Sequence, residues 1–287
     1  MEHGAQPARR VRYVSPARRR ARRRKARRRA AVCLLAVVAV CFGVYRCAAA
    51  LADLLAPAQS QPPAAGLTPP QGTDEERIAW INDHAELYTE DLLDLLERHP
   101  DALDFVEGYP WHKDDEPADS VGTVEKGSFP LLLQWDERWG CTRYGGDILA
   151  INGCGPTCLA MAAAGLTGDD TITPARVAAA AEKAGYCGQN GTSWELMRTG
   201  CATWGLTSRE LPLTESAVTE ALAAGQPIIC SVRPGDFTTT GHFILLAGLE
   251  EGGIRVNDPN SPQNSEKLWA YETLEPQIRN LWAFLLA

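Results

Sequence analysis

Apolar positions along the chain fall into blocks of different character. Ala30–Tyr45 is a sixteen-residue run without a charge, and beyond Arg46 the apolar character resumes over Cys47–Ala52. Sixteen residues fall short of the roughly twenty that a helix needs to cross hydrocarbon. The twenty-three of 30–52 suffice if the Arg46 side chain snorkels to an interface. A transmembrane anchor is therefore expected at 30–52, with a cleaved signal peptide as the rival because Ala48-Ala49-Ala50 meets an A-x-A cleavage rule. Residues 53–72 read as a Pro-rich linker, with five prolines and no charge in 56–72.

Thr73 opens a capping box with Glu76. Ile78, Ile81, Ala85, Tyr88, Leu92, Leu95 and Leu96 then recur at helical spacing. Pro100 breaks that pattern, and Asp101–Glu107 reads as one more short helix, giving a helical segment at 73–110. After an acidic loop, Lys113–Ser120, a second block occupies 128–287. Its order is helices first and strands last. Helices are expected at Cys154–Leu166, from Pro174 to Gly185, after a Thr192–Glu195 capping box, and at Thr214–Ala224. β-Rich runs follow at Ile228–Val232, His242–Leu249 and Ile254–Asp258, and Leu281–Leu286 closes the chain. Helices followed by antiparallel strands predict an α+β fold.

Charge sharpens the division. The formal net charge of −8 hides a net of +12 in residues 1–29 and −21 in residues 47–287. Such a split marks a boundary, and arginines on only one flank of the apolar run predict a cytoplasmic segment 1–29 and an extracellular C-terminal part. A basic block directly against a membrane segment, without interleaved aromatics, does not read as a nucleic-acid site, so no nucleic-acid partner is expected.

Five histidines occur, and only His242 lies in 128–287, at the mouth of the apolar strand G-H-F-I-L-L-A-G. Among the thiols of that block, Cys154 stands out in N-G-C-G-P-T-C-L-A-M. Glycines flank it, and Pro156 marks a helix start. A cysteine at a helix N-terminus meets the positive end of the macrodipole, which favours thiolate. Cys158, one turn on among apolar neighbours, reads as core. The Cys154-x3-Cys158 spacing lacks a second ligand pair, so no metal or organic cofactor is implied. One or two disulfides among the other cysteines remain open. Asp258, in V-N-D-P-N-S, could orient the imidazole or simply form a turn before Pro259. Gln134, in Q-W-D-E-R-W-G, could add a side-chain amide to the Cys154 N–H as an oxyanion donor, or be a surface glutamine.

For Asp258 to reach His242 across the hairpin, the two must share a face of the sheet. A three-residue loop, Glu250-Glu251-Gly252, pairs Leu249 with Gly253 and places Asp258 opposite Ile244, on the His242 face. A four-residue loop pairing Leu249 with Ile254 puts the two side chains on opposite faces. The first register is expected, with a bulge near Gly252–Gly253 and Asp258 on His242 Nδ1.

The order Gln134, Cys154, His242, Asp258 resembles papain-like cysteine peptidases. G-C-G-P-T-C-L-A-M, Q-W-D-x-R-W-G, G-H-F-I and N-D-P-N-S look more closely like the stand-alone relatives of the bacteriocin double-glycine leader peptidases, family thirty-nine of the cysteine peptidases. W-E-L-M and G-D-F-T are in keeping. The resemblance implies a papain-like domain with Cys154 as nucleophile, His242 as base, Asp258 as its orienter and Gln134 as oxyanion donor. It also implies a helical segment like 73–110 ahead of such domains in membrane-anchored Gram-positive proteins. No ATP-binding or transporter segment follows before Ala287, which turns the expectation away from leader processing during export. The expected partners are a peptide or protein substrate, cell-wall peptide included, and the membrane through the anchor. Acyl transfer of the transglutaminase kind and a non-catalytic peptide-binding module are the alternatives.

Overall fold

The computed structural model describes residues 67–188 and 191–287. The expected basic segment 1–29, the anchor 30–52 and most of the linker 53–72 lie outside these residues. Among the described residues no helix is long and apolar enough to cross a membrane. The chain is mixed helix and sheet, in keeping with an α+β domain.

Three helices come first: α1 (Asp74–Asp83), α2 (Glu90–Arg98) and α3 (Leu103–His112). The Thr73 capping box forms in both directions. Glu76 N–H donates to the Thr73 hydroxyl at 3.4 Å, and Thr73 N–H donates to the Glu76 carboxylate at 2.9 Å. The short helix expected at 101–107 is longer, running through Pro110 to His112. Proline removes a single N–H near the helix end, and its ring is buried. The apolar stripe of these helices, with Leu92, Leu95, Phe105 and Val106, closes over Trp135, Ile148 and Ala150. The helical segment thus shares a core with the domain that follows it.

A minimal hairpin, β1 (Arg143–Tyr144) and β2 (Asp147–Ile148), leads through α4 (Leu149–Asn152) into α5 (Cys154–Thr167). Every residue from Gly155 to Gly165 in α5 is buried. A helix apolar on all sides belongs at the centre of a core, and here small side chains let its neighbours come close. α6 (Pro174–Lys183) starts on a Thr173 cap, as expected. β3 (Cys187–Gly188) and β4 (Gly191–Thr192) pair antiparallel before α7 (Glu195–Arg198). Thr192 is no cap. It lies in β4, where its hydroxyl meets the Tyr144 hydroxyl at 2.8 Å, and Ser193 takes the Glu195 N–H instead.

The remaining elements are β5 (Leu206–Glu210), α8 (Glu215–Ala223), β6 (Ile228–Val232), β7 (His242–Glu250), β8 (Gly253–Asn257), α9 (Pro262–Glu266), β9 (Leu268–Trp269), α10 (Tyr271–Leu274) and β10 (Ile278–Leu286). The strands form one antiparallel sheet in the order β5-β10-β6-β7-β8-β9. Alternation along each strand splits the core in two. Ile229, Phe243, Leu245, Trp282 and Phe284 join α5 and α6, whereas Cys230, Val232, Ile244, Leu246 and Leu281 join α8.

The β7–β8 hairpin combines the two registers weighed from the sequence. At its tip Leu249 pairs with Ile254 and Glu250 with Gly253, leaving Glu251-Gly252 as a two-residue turn. Gly252 and Gly253 take φ of 107° and 152°, which only glycine adopts without strain. Beyond Gly248 the register shifts, and Leu246 pairs with Val256 and Leu245 with Asn257. The extra residue is Ala247. One residue further, Asp258 falls opposite Ile244, on the His242 face. The expected parity is reached, but the bulge sits at Ala247 and not at Gly252–Gly253.

Overpacking α5 tests how tightly the core is filled. Ala162 is fully buried, and Ala162→Leu should cost roughly 1–3 kcal/mol of stability in urea unfolding. An unchanged midpoint would mean that unfilled space surrounds the helix.

Candidate active site

Cys154 is half-buried as the first residue of α5, at the positive end of a fourteen-residue helix. Close approach shapes its surroundings. A Cβ on Gly155 would lie 2.6 Å from the Thr192 hydroxyl, so β4 rests directly on the first turn of α5. Cys158 is fully buried, its thiol donates to the Phe243 carbonyl at 3.3 Å, and burial pushes it well above the ordinary thiol range. All six cysteines of the described residues are free, so the disulfides left open by the sequence do not form among them. Burial also raises Cys141, to about 11, together with Cys187, Cys201 and Cys230. None of these is a ready thiolate.

His242 opens β7, and its Nε2 lies 2.8 Å from Asp258 Oδ1, with both side chains buried. The expected nitrogen was Nδ1. Because Nε2 serves Asp258, Nδ1 is the nitrogen left for Cys154, which lines the same cleft. Burial opposes the imidazolium, yet the Asp258 carboxylate and the Cys154 sulfur together push His242 up to about 10. Burial likewise works against the Asp258 charge, but His242, the Asn264 amide and the Asn260 N–H hold this carboxyl below its usual range. Asn260 N–H donates to Oδ1 at 2.9 Å and Asn264 Nδ2 to Oδ2 at 2.8 Å. The Asp258 N–H donates to Ser265 Oγ at 2.9 Å. Asn264 and Ser265 lie in α9, whose Ser261-Pro262 start is a legible helix signal, although neither residue was singled out from the sequence. Asn260 Nδ2 in turn donates to Nε2 of His99, the C-cap of α2, at 2.9 Å.

Gln134 is not a surface glutamine: it is 2% exposed. Its Nε2 donates to the Ala150 carbonyl at 2.8 Å and more weakly to Ile151 O at 3.3 Å. Its N–H donates to Pro259 O at 2.7 Å, tying it to the turn after Asp258. Its Oε1 is buried without a partner. Cys154 and His242 open into a cleft of about 520 Å³ lined also by Asn152, Thr192, Trp194, Thr240, Arg98 and Arg279. Gln134 does not line it. Among the described residues no group of three or more His, Cys, Asp or Glu is gathered to hold a metal ion.

A helix-borne thiol beside a buried imidazole–carboxylate pair, on an α+β domain, has the layout of a cysteine peptidase. Residues 126–284, more than half of the chain, match the model of the Peptidase_C39 like family, and the chain belongs to that family. No curated protein and no solved structure matches it significantly.

The imidazole makes the electrostatics measurable. In an NMR titration His242 should stay protonated up to about 10. In Asp258→Asn, which removes the charge but leaves the burial, it should titrate well below that value. A raised folded value also means that the stability contributed by His242 is full below pH 6.5 and is lost as pH rises through about 10. An unaltered titration in Asp258→Asn would detach the carboxylate from the imidazole.

Proposed function

We propose that this chain is a membrane-tethered, extracytoplasmic cysteine peptidase that hydrolyses peptide or amide bonds through Cys154, His242 and Asp258, with Gln134 assisting at the oxyanion. Family membership supports a cysteine peptidase. The observation that carries the roles is the buried His242–Asp258 hydrogen bond of 2.8 Å at the mouth of the cleft that also holds Cys154.

With His242 raised to about 10, the ring keeps its proton at neutral pH, and the Cys154 sulfur faces an imidazolium. The sulfur attacks the amide carbonyl, forming a C–S bond and a tetrahedral oxyanion. Nδ1 then gives its proton to the leaving nitrogen as the C–N bond breaks. Water follows: His242 takes its proton, the oxygen bonds to the acyl carbon, and the C–S bond breaks with its electron pair returning to the Cys154 sulfur. The carboxylic acid leaves a protonated ring and a free sulfur behind. Asp258 keeps the ring oriented and its charge answered throughout. Gln134 is the second donor in this reading, beside the Cys154 N–H. One amide hydrogen must then turn from the α4 carbonyls toward the oxyanion.

The apolar run of residues 30–52 and the basic segment 1–29 are the sequence features that support tethering with the domain outside. Protease added to protoplasts should shave the C-terminal domain, and a fully protected domain would reverse the orientation.

A thiol-directed peptide electrophile should label Cys154 alone among the cysteines of the domain. Cys154→Ala should abolish both labelling and turnover, and Cys158→Ala should preserve the labelling. Gln134→Ala should lower kcat by roughly 10²–10³. Because the amide is buried and bonded, some stability should go with it. Labelling at Cys187 or Cys201 with Cys154 inert would end the peptidase reading.

A further inference from the structure

The charges around the cleft run against those of the chain that builds it. Residues 47–287 carry thirty-five acidic and fourteen basic side chains. Among the described residues that line the cleft there is no aspartate or glutamate, but there are two arginines, Arg98 and Arg279, besides His242. Of the other eight described arginines, four have carboxylate partners, Arg77 with Glu107, Arg138 with Asp136, Arg198 with Glu210 and Arg255 with Glu250, and four do not. Arg98 and Arg279 have none among the described residues.

Both arginines are delivered by specific backbone features. Arg98 is the last residue of α2, its Nε donating to the Asp94 carbonyl at 3.0 Å. The next residue, His99, is bonded to Asn260, whose N–H holds Asp258, so Arg98 is carried to the cleft by the same contact that braces the site. Arg279 is the extra residue where β10 shifts register against β6: Ile278 pairs with Val232 and Asn280 with Ser231. Bulges re-aim side chains, and both β6 partners line the cleft. A guanidinium offers forked donors that match a carboxylate, and a cleft of one sign concentrates ligands of the other.

We infer that Arg98 and Arg279 recognise a carboxylate on the substrate, so that the scissile amide lies next to an acidic side chain or a free terminal carboxylate. This assignment rests on the peptidase reading for the word substrate. The site itself is tested without turnover.

A random peptide library, digested by the full chain and read by mass spectrometry, should show cuts within about three residues of Asp or Glu, or of a free C-terminus, roughly tenfold over sites with Asn, Gln or an amidated end. The amidated arm separates terminal from side-chain carboxylates. Arg98→Gln and Arg279→Gln should each weaken the preference, and the double variant should erase it. Arg209→Gln, which removes the same charge on β5, should keep the full preference. Binding provides the second arm. Cys154→Ala protein should hold a fluorescein-labelled alanine octapeptide with a central Glu-Glu pair roughly tenfold tighter than its Gln-Gln counterpart, and added salt should shrink the gap. A library left uncut by a protein whose Cys154 is unlabelled would sink the peptidase reading while this binding preference still supported the carboxylate site. Equal binding of the two octapeptides, or an unchanged preference in the double variant, would overturn it.

Discussion

A carboxylate with no access to water is tolerated only where its charge is answered from every side. Asp258 meets that condition with the His242 ring, the Asn260 N–H and the Asn264 amide, and Ser265 fixes the backbone beneath it. Each donor comes from a separate stretch of structure: the start of β7, the turn after β8, and α9. The pair therefore constrains the fold as much as the chemistry. Loss of the carboxylate would leave a buried imidazole and two buried donors without their acceptor. Loss of the imidazole would leave a buried charge. Register, turn and short helix have to form together for either group to be stable.

The bulge at Ala247 reconciles two demands that conflict in a regular hairpin. The tip needs the two-residue Glu251-Gly252 turn, for which Gly252 and Gly253 supply positive φ. Extended unbroken, that register would put Asp258 on the face opposite His242. One added residue in β7 flips the parity, so a tight turn and a shared face coexist. The thiol side follows a different rule. α5 reaches the end of the sheet because eleven consecutive residues, from Gly155 to Gly165, are buried and mostly small. Gly155 lets Thr192 rest against its first turn, where any larger residue would push β4 away from Cys154.

Much of this was legible because it rests on local chemistry. Thr73, Thr173 and Thr214 cap helices as their neighbours dictate, and Cys154 opens a helix where Gly153 and Pro156 say it should. Alternation left two registers open for His242 and Asp258, and the requirement that the two side chains meet selected the shared face. What escaped depends on tertiary context. Thr192 has the right spacing for a cap but spends its hydroxyl on Tyr144, forty-eight residues away. β5 reads L-T-S-R-E, with one apolar residue, because it is an edge strand with a polar exposed face. The position of the bulge has no local marker beyond small Ala247 and Gly248. Which imidazole nitrogen faces Asp258 is set by ring rotation, which strand periodicity does not encode. The burial of Gln134 depends on Ala150, Ile151 and Pro259, none of them a neighbour in sequence.

The helical segment ahead of the family domain belongs to the same constraint. The matched span begins at residue 126, yet residues from α2 onward reach the Asp258 turn. His99 takes the Asn260 amide and Asp101 takes the Gln263 amide, and within the matched span Trp135 Nε1 donates to Asn260 O at 3.3 Å. Burial lowers His99, which keeps the ring neutral and its Nε2 free to accept. A protonated His99 would present a donor to a donor beside a turn that already carries a buried ion pair. Beneath these contacts, Leu92, Leu95, Phe105 and Val106 bury against Ile148 and Ala150. Area burial of this kind supplies the free energy, at about 1.5–3 kcal/mol for each large apolar side chain, and the polar contacts supply the alignment. The turn that holds the orienting carboxylate is therefore held from both sides, by α9 within the family domain and by α2 from outside it.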